Sequence, residues 1–538
     1  EIKHISTVVY PEAEGEPSDA GTLIEALEWH VKAHPDRVHV RLQSQKGEEE
    51  EEISYGDLMN GAERICAGLR ERGVLPRQSV ALMLPTGKAF FVSLYGILMA
   101  GAIPVPIYPP MRLKQVEDHM RRQAGILSNA QAILLITFEQ IKPMLQLLKP
   151  LVESLQAVIT VDDLSRVGVK AERPALNPND IALLQYTSGS TGNPKGVVLT
   201  HANLLANIRA MGKAVEVTPK DVFVSWLPLY HDMGLIGACM GSMYYAMPLI
   251  LMSPLTFIAR PQRWLWAIHK YRGTISPAPN FAYEFCLRLK DDKELEGLDL
   301  SSWRMACNGA EPVSPATIER FTSRFAAYGF RPEAIAPVYG LAESSVGLAF
   351  SPPLRGAVID VIQREPFVRH GRAIPVDGDE HHALRFVACG RPLAGHQIRI
   401  VDGTGHEVAE REEGQLQFRG PSVTSGYFRN RQATAQLYSG KWANSGDYAY
   451  IAGGDIYLTG RVKDIIIRAG RNIYPQELED VVGTVDGIRK GCIAVFASPD
   501  PKSGTERLIV MAETRERKVE RLDQLRSEII ALSVDLLG

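Results

Sequence analysis

Cysteine is scarce in this chain, with six residues in 538 and no CxxC pair among them. Scattered cysteines argue against a disulfide framework and against a cysteine-rich metal site. Charge of one sign is also lacking, because 59 Lys and Arg face 62 Asp and Glu for a formal net charge of −3. This balance argues against an overall basic, nucleic-acid-binding surface. We therefore expect a cytoplasmic protein that binds no nucleic acid.

Uninterrupted hydrophobic runs of membrane-spanning length are lacking as well. Residues 90–108 and 235–259 are uncharged and long enough to cross a bilayer. Each is broken by glycine and proline, including Pro104 in the first stretch and Pro248 in the second. Buried helix–strand units of an α/β core have the same composition, because parallel strands are covered on both faces. The sequence therefore predicts no transmembrane segment.

The remaining pattern indicates an α/β protein of more than one domain. Helical spacing at 23–32 and 58–72 alternates with short apolar strands at 79–84, 133–137 and 158–161. Residues 1–20 are polar and predict a tail or linker, and the glutamates at 48–52 predict a solvated hairpin loop. We expect a large domain over 21–462, which contains layered α/β subdomains.

From about Cys389 the sequence changes to short strands with turn residues between them, at 398–401, 414–418 and 455–459. This spacing predicts a β-rich subdomain over 389–460. A further strand at 465–467 and a helix that begins at Pro475 predict a small α+β domain over 463–538.

The most distinctive local pattern is the run YTSGSTGNPKG at 186–196. Its glycines let backbone N–H groups approach phosphate oxygens, its hydroxyls donate further hydrogen bonds, and Lys195 adds a positive charge. A Walker A loop is excluded because Pro194 stands where a second glycine is required. The alternative is a flexible Ser/Gly loop without a ligand. The predicted phosphate-binding residues are Thr187, Ser188, Gly189, Ser190, Thr191, Gly192 and Lys195.

Four further polar patterns follow in the chain: WLPLYHDMG at 226–234, NGAEP at 308–312, YGLAES at 339–344 and SGDY at 445–448. Each has an ordinary structural interpretation when taken alone. His231 is either a ligand-contacting or a structural histidine, and most Gly-Asp turns bind nothing. Glu343 offers the hard oxygen ligand that suits Mg²⁺ bridging phosphates. Asp447 offers a carboxylate able to accept both ribose hydroxyls.

In this order, the motifs resemble those of the adenylate-forming superfamily, which contains acyl-CoA synthetases, peptide-synthetase adenylation domains and luciferases. The resemblance covers nearly the whole chain from about Leu23. It implies ATP and Mg²⁺, with His231 beside the acid carboxylate and α-phosphate, Glu343 on the metal, and Lys463 at the hinge. It assigns nucleotide binding to Asn308, Gly309, Ala310, Glu311, Tyr339, Gly340, Leu341, Ala342, Asp447 and Arg461.

Three features are similar to those of fatty acyl-AMP ligases within that superfamily. They are YPP at 108–110 with RRQAGIL at 121–127, the hinge phrase RNIYPQ at 471–476, and a long segment at 351–391. Fatty acyl-AMP ligases carry an insertion here that is held to restrain the small domain and disfavour CoA. Apolar residues at 358–362 and 384–387 predict a hairpin with a polar tip at 376–382. The alternative is a surface loop without consequence.

The resemblance implies that a fatty acid is activated to acyl-AMP and then passed to the phosphopantetheine thiol of an acyl carrier protein. The acyl pocket is assigned to Trp226, Met233, Gly234, Pro279 and Phe281, and we expect a monomer. The family's C-terminal catalytic lysine has no counterpart among Lys490, Lys502 and Lys518, so the small domain is expected to be incomplete. The alternatives are a long-chain acyl-CoA ligase, a non-enzymatic binding member and an amino-acid-activating domain. The last is disfavoured because 239–252 is uncharged.

Overall fold

The computed structural model describes residues 15–43, 50–110, 116–165, 172–187, 194–289, 292–377, 383–468, 471–500 and 505–537. Its α-helices are α1 (Leu23–Ala33), α2 (Tyr55–Glu71), α3 (Lys88–Met99), α4 (Val116–Ala130), α5 (Lys142–Leu145), α6 (Val161–Ser165), α7 (His201–Val215), α8 (Gly241–Tyr244), α9 (Pro254–Ala259), α10 (Gln262–Lys270), α11 (Asn280–Leu287), α12 (Pro315–Phe325), α13 (Arg364–His370), α14 (Arg431–Leu437), α15 (Pro475–Val482) and α16 (Val519–Leu537).

The β-strands are β1 (Val38–Gln43), β2 (Glu50–Ser54), β3 (Ser79–Leu82), β4 (Ile103–Pro106), β5 (Ala132–Thr137), β6 (Ala157–Thr160), β7 (Ile181–Thr187), β8 (Lys195–Thr200), β9 (Phe223–Ser225), β10 (Leu249–Leu251), β11 (Ala306–Asn308), β12 (Ile335–Tyr339), β13 (Ala349–Phe350), β14 (Ile359–Ile362), β15 (Leu384–Val387), β16 (Arg391–Pro392), β17 (Gln397–Val401), β18 (Gly414–Arg419), β19 (Tyr438–Ser439), β20 (Trp442–Ala452), β21 (Asp455–Arg461), β22 (Ile466–Arg468), β23 (Arg471–Ile473), β24 (Ile488–Asp500) and β25 (Thr505–Thr514).

The first layer is a parallel sheet in the order β4-β3-β5-β6. Its strands are short apolar runs, and α3 packs against α2 beside them. Helix α3 is buried along almost its whole length, which explains why 90–108 is so apolar. Among the described helices, none is both long enough and apolar enough to cross a bilayer.

The second layer contains β2-β1-β10-β9, in which β1, β10 and β9 are parallel. Parallel bridges at Ile275 and Met305 continue from β9 towards β11, which pairs with β12. Most of the apolar stretch 235–259 lies in this region as buried helix and strand, whereas α9 at its end exposes Leu255 and Ile258. Both stretches tested as membrane spans are therefore core elements, and the predicted alternation of helices with parallel strands is confirmed.

One sequence prediction in this layer is wrong. The glutamates at 50–52 form strand β2, which pairs antiparallel with β1, instead of a solvated loop; 44–49 lie outside the described residues. Cations stabilise the strand, because Arg41 pairs with Glu52 and Lys270 donates to a Glu50 carboxylate oxygen at 2.5 Å. Buried Ile53 fixes which face of the strand points inward.

The β-rich part is an antiparallel sheet in the order β17-β18-β20-β19, with β21 also paired to β20. Beyond it lie two hairpins, β22-β23 and β24-β25, with α15 and α16. The α/β class with a β-rich part is therefore confirmed, whereas the predicted domain boundaries stay predictions. The first described residues also pack on the body, because Arg209 donates to the carbonyls of Ser18 and Ala20 at 2.9 and 2.7 Å.

Segment 351–391 contains the predicted hairpin, since β14 and β15 pair antiparallel from Ile359↔Val387 to Ile362↔Leu384. Helix α13, which periodicity did not predict, lies between the strands. Its Phe367 ring stacks on Tyr474 with centroids 5.6 Å apart, and Arg364 pairs with Glu477 of α15. The segment therefore packs against residues that follow Lys463. The tip at 378–382 lies outside the described residues.

Candidate active site

A single cavity of about 1710 Å³ collects most of the predicted site residues. Its wall includes Thr187, Lys195, Trp226, His231, Met233, Gly234, Pro279, Phe281, Ala310, Glu311, Tyr339, Gly340, Leu341, Ala342, Glu343, Asp447, Arg461 and Lys463. These residues come from motifs spread over almost 280 positions of the chain, roughly half its length. Ser188, Gly189, Ser190, Thr191 and Gly192 lie outside the described residues, between β7 and β8.

Asn308 and Gly309 are not brought to the cavity wall. Asn308 is buried behind it, and its Nδ2 donates to Asn280 Oδ1 at 3.2 Å. A Cβ atom on Gly309 would lie 2.6 Å from the Val338 carbonyl oxygen, so the chain requires glycine there. Glu311 then reaches the wall, where its Oε1 accepts a hydrogen bond from the Phe281 N–H at 2.6 Å. Asn308 and Gly309 thus shape the wall from behind.

Glu343 lies on a short 3₁₀ turn, Ala342–Ser344, that follows β12. The turn requires Gly340, because a Cβ there would lie 1.7 Å from the Val346 carbonyl oxygen. Glu343 Oε1 accepts a hydrogen bond from the Tyr427 hydroxyl at 2.6 Å. Its backbone carbonyl accepts from the Thr424 N–H at 2.8 Å. The carboxylate is therefore held at the wall from two directions.

Asp447 and Arg461 are direct partners in the β20–β21 pairing. The Tyr339 hydroxyl donates to Asp447 Oδ2 at 2.5 Å, and Arg461 Nε lies 3.8 Å from Asp447 Oδ1. Burial raises the pKa of Asp447, while the Tyr339 hydrogen bond and the Arg461 charge act in the opposite direction. The arrangement joins an aromatic ring and a hydrogen-bond acceptor on one side of the cavity, as a nucleoside site requires.

His231 and Asp232 form the turn between β9 and a π-helix, Met233–Met240. Asp232 Oδ1 accepts from the Met233 N–H at 2.8 Å and caps that helix. Desolvation lowers the pKa of His231, so its imidazole is neutral near pH 7. Desolvation, with Glu343 adding repulsion, raises the pKa of Asp232 to about 6. A Cβ on Gly234 would lie 2.3 Å from the Pro228 carbonyl oxygen, which explains the glycine.

Part of the cavity is apolar. Its wall there includes Ile208, Met211, Val215, Phe223, Tyr245, Met247 and Ile275. Gly237 and Gly241 are four residues apart and also line it, and a Cβ on Gly237 would meet nothing within 4 Å. Since Gly237 lies in a buried helix, that empty space is the cavity itself. Nearby, the Trp226 ring stacks on Phe257 at 3.9 Å, and Phe281 meets Trp226 edge-on at 5.8 Å.

Asp232, Gly237 and Tyr427 are among the wall residues that sequence reasoning missed. Asp232 was in a quoted motif, but nothing separated it from a structural aspartate. Gly237 lies in an apolar run without any polar marker. Tyr427 follows a Ser-Gly pair, which reads as a plain turn in the sequence. Only the fold shows that its hydroxyl reaches Glu343.

Comparison with known proteins identifies the family, since the AMP-binding enzyme family matches residues 27–428. The chain belongs to the AMP-binding enzyme family. Enzymes of this adenylate-forming family use ATP, so the predictions of an ATP-dependent ligase and of its superfamily are confirmed.

Two curated relatives of this AMP-binding enzyme are similar over most of its length. The medium-chain fatty acid–acyl carrier protein ligase JamA from Moorena producens is 33% identical, covering 93% of this chain and 87% of JamA. The long-chain fatty acid–AMP ligase FadD32 from Mycolicibacterium smegmatis is 30% identical, covering 92% of this chain and 85% of FadD32. The predicted resemblance to fatty acyl-AMP ligases is therefore confirmed.

A solved structure is also similar to this AMP-binding enzyme. It comes from work on fatty acyl-adenylate ligases from E. coli and L. pneumophila, and it matches with a TM-score of 0.89 at 32% identity. The match covers 97% of this chain and 92% of that chain. The adenylate-forming fold is thus shared along nearly the whole of both chains.

Proposed function

We propose that this enzyme activates a fatty acid with ATP to give fatty acyl-AMP and pyrophosphate, and then transfers the acyl group to an acyl carrier protein. The observation that carries the proposal is one cavity with a polar part and an apolar part. The polar part holds Lys195, His231, Glu343 and Asp447, and the apolar part includes Gly237, where a Cβ would meet nothing within 4 Å. A nucleotide with an acyl chain has this same division.

The chemistry follows from where the polar groups lie. A carboxylate oxygen of the fatty acid forms a bond to the α-phosphorus, while the bond from that phosphorus to the bridging oxygen breaks and pyrophosphate leaves. Neutral His231 orients the attacking carboxylate, and Lys195 neutralises phosphate charge. Asp447 accepts hydrogen bonds from the ribose hydroxyls beside the Tyr339 ring, and Arg461 lies near the nucleotide.

The residues present fit a Mg²⁺ ion shared with the phosphates. No cluster of three His, Cys, Asp or Glu side chains able to hold a metal occurs among the described residues. Mg²⁺ commonly takes only one or two carboxylates, with phosphates and waters as its other ligands. Glu343 offers that carboxylate at the wall, and its Oε2 is not the atom used by Tyr427. The bound ion would supply charge neutralisation on the triphosphate.

Two observations support a carrier thiol over free CoA as the acceptor. Segment 351–391 packs against Tyr474 and Glu477, which follow the proposed hinge residue Lys463. That contact holds the hinge region against the body and so opposes the rearrangement proposed for CoA use. JamA is by name an acyl carrier protein ligase.

The six cysteines are all free, five of them buried, which supports a cytoplasmic location.

The test of the first half-reaction is the appearance of acyl-AMP from ATP and a panel of fatty acids, detected by mass spectrometry. Glu343→Gln removes the metal-binding charge and keeps the side-chain size. We expect it to lower the rate by about 100-fold or more, as loss of a group acting on transition-state charge does. A matched control is Glu365→Gln, at an exposed position of helix α13. Equal rates for wild type and Glu343→Gln would reject the role of Glu343.

A further inference from the structure

Tyr427 lies between Glu343 and Lys195 in the polar part of the cavity. Its hydroxyl donates to Glu343 Oε1 at 2.6 Å, and its ring centroid lies 4.9 Å from Lys195 Nζ. The side chain is 9% exposed and forms part of the cavity wall. One residue therefore contacts both the carboxylate assigned to the metal and the lysine assigned to the phosphates.

The backbone around Tyr427 is fixed to the same two elements. The Val198 N–H of β8 donates to the Gly426 carbonyl at 3.0 Å, and the Phe428 N–H donates to the Gly196 carbonyl at 2.7 Å. On the other side, the Thr424 N–H donates to the Glu343 carbonyl at 2.8 Å. These bonds tie segment 424–428 to strand β8, which contains Lys195, and to the Glu343 turn. The position of the Tyr427 ring is thereby set from both sides.

The two contacts act on different groups by different forces. A hydrogen bond to one carboxylate oxygen fixes the rotation of Glu343 and leaves its other oxygen available to a cation. A ring face below an ammonium group attracts it through the ring quadrupole, which restrains Lys195 without using its N–H donors. The donors of Lys195 thus remain available for phosphate oxygens.

We propose that Tyr427 is a positioning residue that orients both Glu343 and Lys195. It thereby fixes where the metal and the phosphates bind relative to each other. This inference rests on the proposed function, because it takes the nucleotide and metal roles of those two residues from it. Its hydroxyl acts on the metal site and its ring acts on the phosphate site. The two parts are separable by substitution.

Tyr427→Phe removes the hydroxyl and keeps the ring, whereas Tyr427→Leu removes both. The matched control is Tyr450→Phe, which deletes a buried tyrosine hydroxyl that donates to a carboxylate, Asp360, at 2.8 Å outside the cavity wall. Thermal unfolding midpoints of the three variants show whether each is folded. Two binding probes are used. Mn²⁺ binding is monitored by electron paramagnetic resonance, and the nucleotide is α,β-methylene ATP, which cannot transfer its AMP group to the acid.

We expect Tyr427→Phe to weaken Mn²⁺ binding to the protein–nucleotide complex by about tenfold or more, the usual effect of losing an outer partner of a metal ligand. Its affinity for the nucleotide in EDTA should match that of wild type. Tyr427→Leu should weaken both Mn²⁺ binding and metal-free nucleotide binding. Tyr450→Phe should change neither, even where its unfolding midpoint falls as far as that of Tyr427→Phe.

Wild-type Mn²⁺ affinity in folded Tyr427→Phe would overturn the hydroxyl role, and so would equal weakening in Tyr450→Phe. Wild-type metal-free nucleotide affinity in Tyr427→Leu would overturn the ring role. The assay is independent of turnover, so it distinguishes two failures. Absence of acyl-AMP with normal Mn²⁺ and nucleotide binding rejects the proposed reaction alone, whereas absence of Mn²⁺ binding by the wild-type complex rejects this inference.

Discussion

At the scale of single residues, two tyrosine–carboxylate hydrogen bonds organise the polar cavity: Tyr339 to Asp447 and Tyr427 to Glu343. Burial raises the pKa of both phenols, so each remains a donor at neutral pH. A donated hydrogen bond orients a carboxylate without neutralising it. Both carboxylates can therefore be fixed in place before a ligand arrives, which reduces the cost of ordering them on binding.

The bare helix surface at Gly237 leads to a prediction about chain length. Gly237→Leu should place a side chain in the empty part of the cavity and exclude the far end of a long acyl chain. We expect kcat/KM for long-chain acids to fall about tenfold or more relative to medium-chain acids, since displacing one or two methylenes costs about 1–3 kcal/mol. The measurement is acyl-AMP formation across acids of increasing length.

Gly403→Leu is the control for this substitution, because Gly403 also has nothing within 4 Å but lies on an exposed turn outside the cavity wall. It should leave the length profile unchanged. An unaltered profile in folded Gly237→Leu would mean that the acyl chain lies elsewhere.

Which residues line the cavity was predictable where a chemical group stood in a distinctive motif, as for Glu343 and Asp447. It was not predictable where a role depends on a partner distant in the sequence. Tyr427 meets a residue 84 positions earlier, and its neighbours carry no sign of that contact. Asn308 shows the opposite case, because its motif was found but the fold places its side chain behind the wall.

At the scale of elements, helix α1, strand β1 and helix α2 share a buried group of rings. His30 and His39 each stack on Tyr55, with centroids 4.7 and 5.1 Å apart. Desolvation, aided by neighbouring positive groups, lowers the pKa of His30 to about 4 and that of His39 to about 3. Both histidines are therefore neutral in the folded protein over most of the acidic range.

This shift predicts acid sensitivity with a definite sign. The unfolded chain, with a histidine pKa of about 6.5, binds more protons than the folded chain, so stability is full above that value. It is lost as the pH falls towards the folded pKa values. His39 alone should lower the free energy of unfolding by about 2 kcal/mol between about pH 8 and about pH 5.

His39→Phe keeps a ring against Tyr55 and removes the titration. Urea unfolding at the two pH values should show an acid-induced loss that is smaller than in wild type by about that 2 kcal/mol. His406→Phe, on an exposed turn, should behave as wild type. An identical acid loss in wild type and His39→Phe would place the sensitivity elsewhere.

The contact between α13 and α15 gives a second prediction at this scale. Arg364→Ala combined with Phe367→Ala removes the ion pair to Glu477 and the ring contact to Tyr474. An aromatic pair alone contributes about 0.5–1.5 kcal/mol, and each 1.4 kcal/mol is about a tenfold change in population. We expect acyl-CoA formation from free CoA, measured by mass spectrometry, to rise about tenfold.

Arg369→Ala is the control within the same helix, because Arg369 pairs with Glu365, one turn away on α13 itself. It should leave the use of CoA unchanged. If the double variant is folded, makes acyl-AMP normally and still gives no more acyl-CoA than Arg369→Ala, then this contact does not govern the choice of acceptor.

Long amphipathic helices such as α1 and α2 were predictable, because their apolar stripe repeats over several turns. The seven residues of α13 are too few to show a period and include Pro366. Strand β2 was missed because a series of glutamates is typical of a solvated loop. The ion pairs with Arg41 of β1 and Lys270 of α10 form only in the folded chain. Tertiary partners decided both cases.

At the scale of the whole molecule, the proposed reaction needs two parts of the chain to meet. Most groups proposed to bind the nucleotide lie on the body, whereas Arg461, which is also proposed to lie near the nucleotide, and Lys463 lead into the residues beyond the β-rich sheet. Those residues contact the body at several points, which include Glu477 with Arg364, Tyr474 with Phe367, and Lys490, whose Nζ lies 3.5 Å from Glu284 Oε2. The acceptor thiol must reach the acyl-AMP while these contacts hold.

The most direct test of this account is a competition between acceptors. The enzyme is given ATP, Mg²⁺ and a fatty acid, with equal concentrations of holo-acyl carrier protein and CoA, and all products are identified by mass spectrometry. We expect acyl-AMP followed by acylated carrier protein, with little acyl-CoA. Acyl-CoA as the main product would contradict it and would make the chain a fatty acyl-CoA ligase.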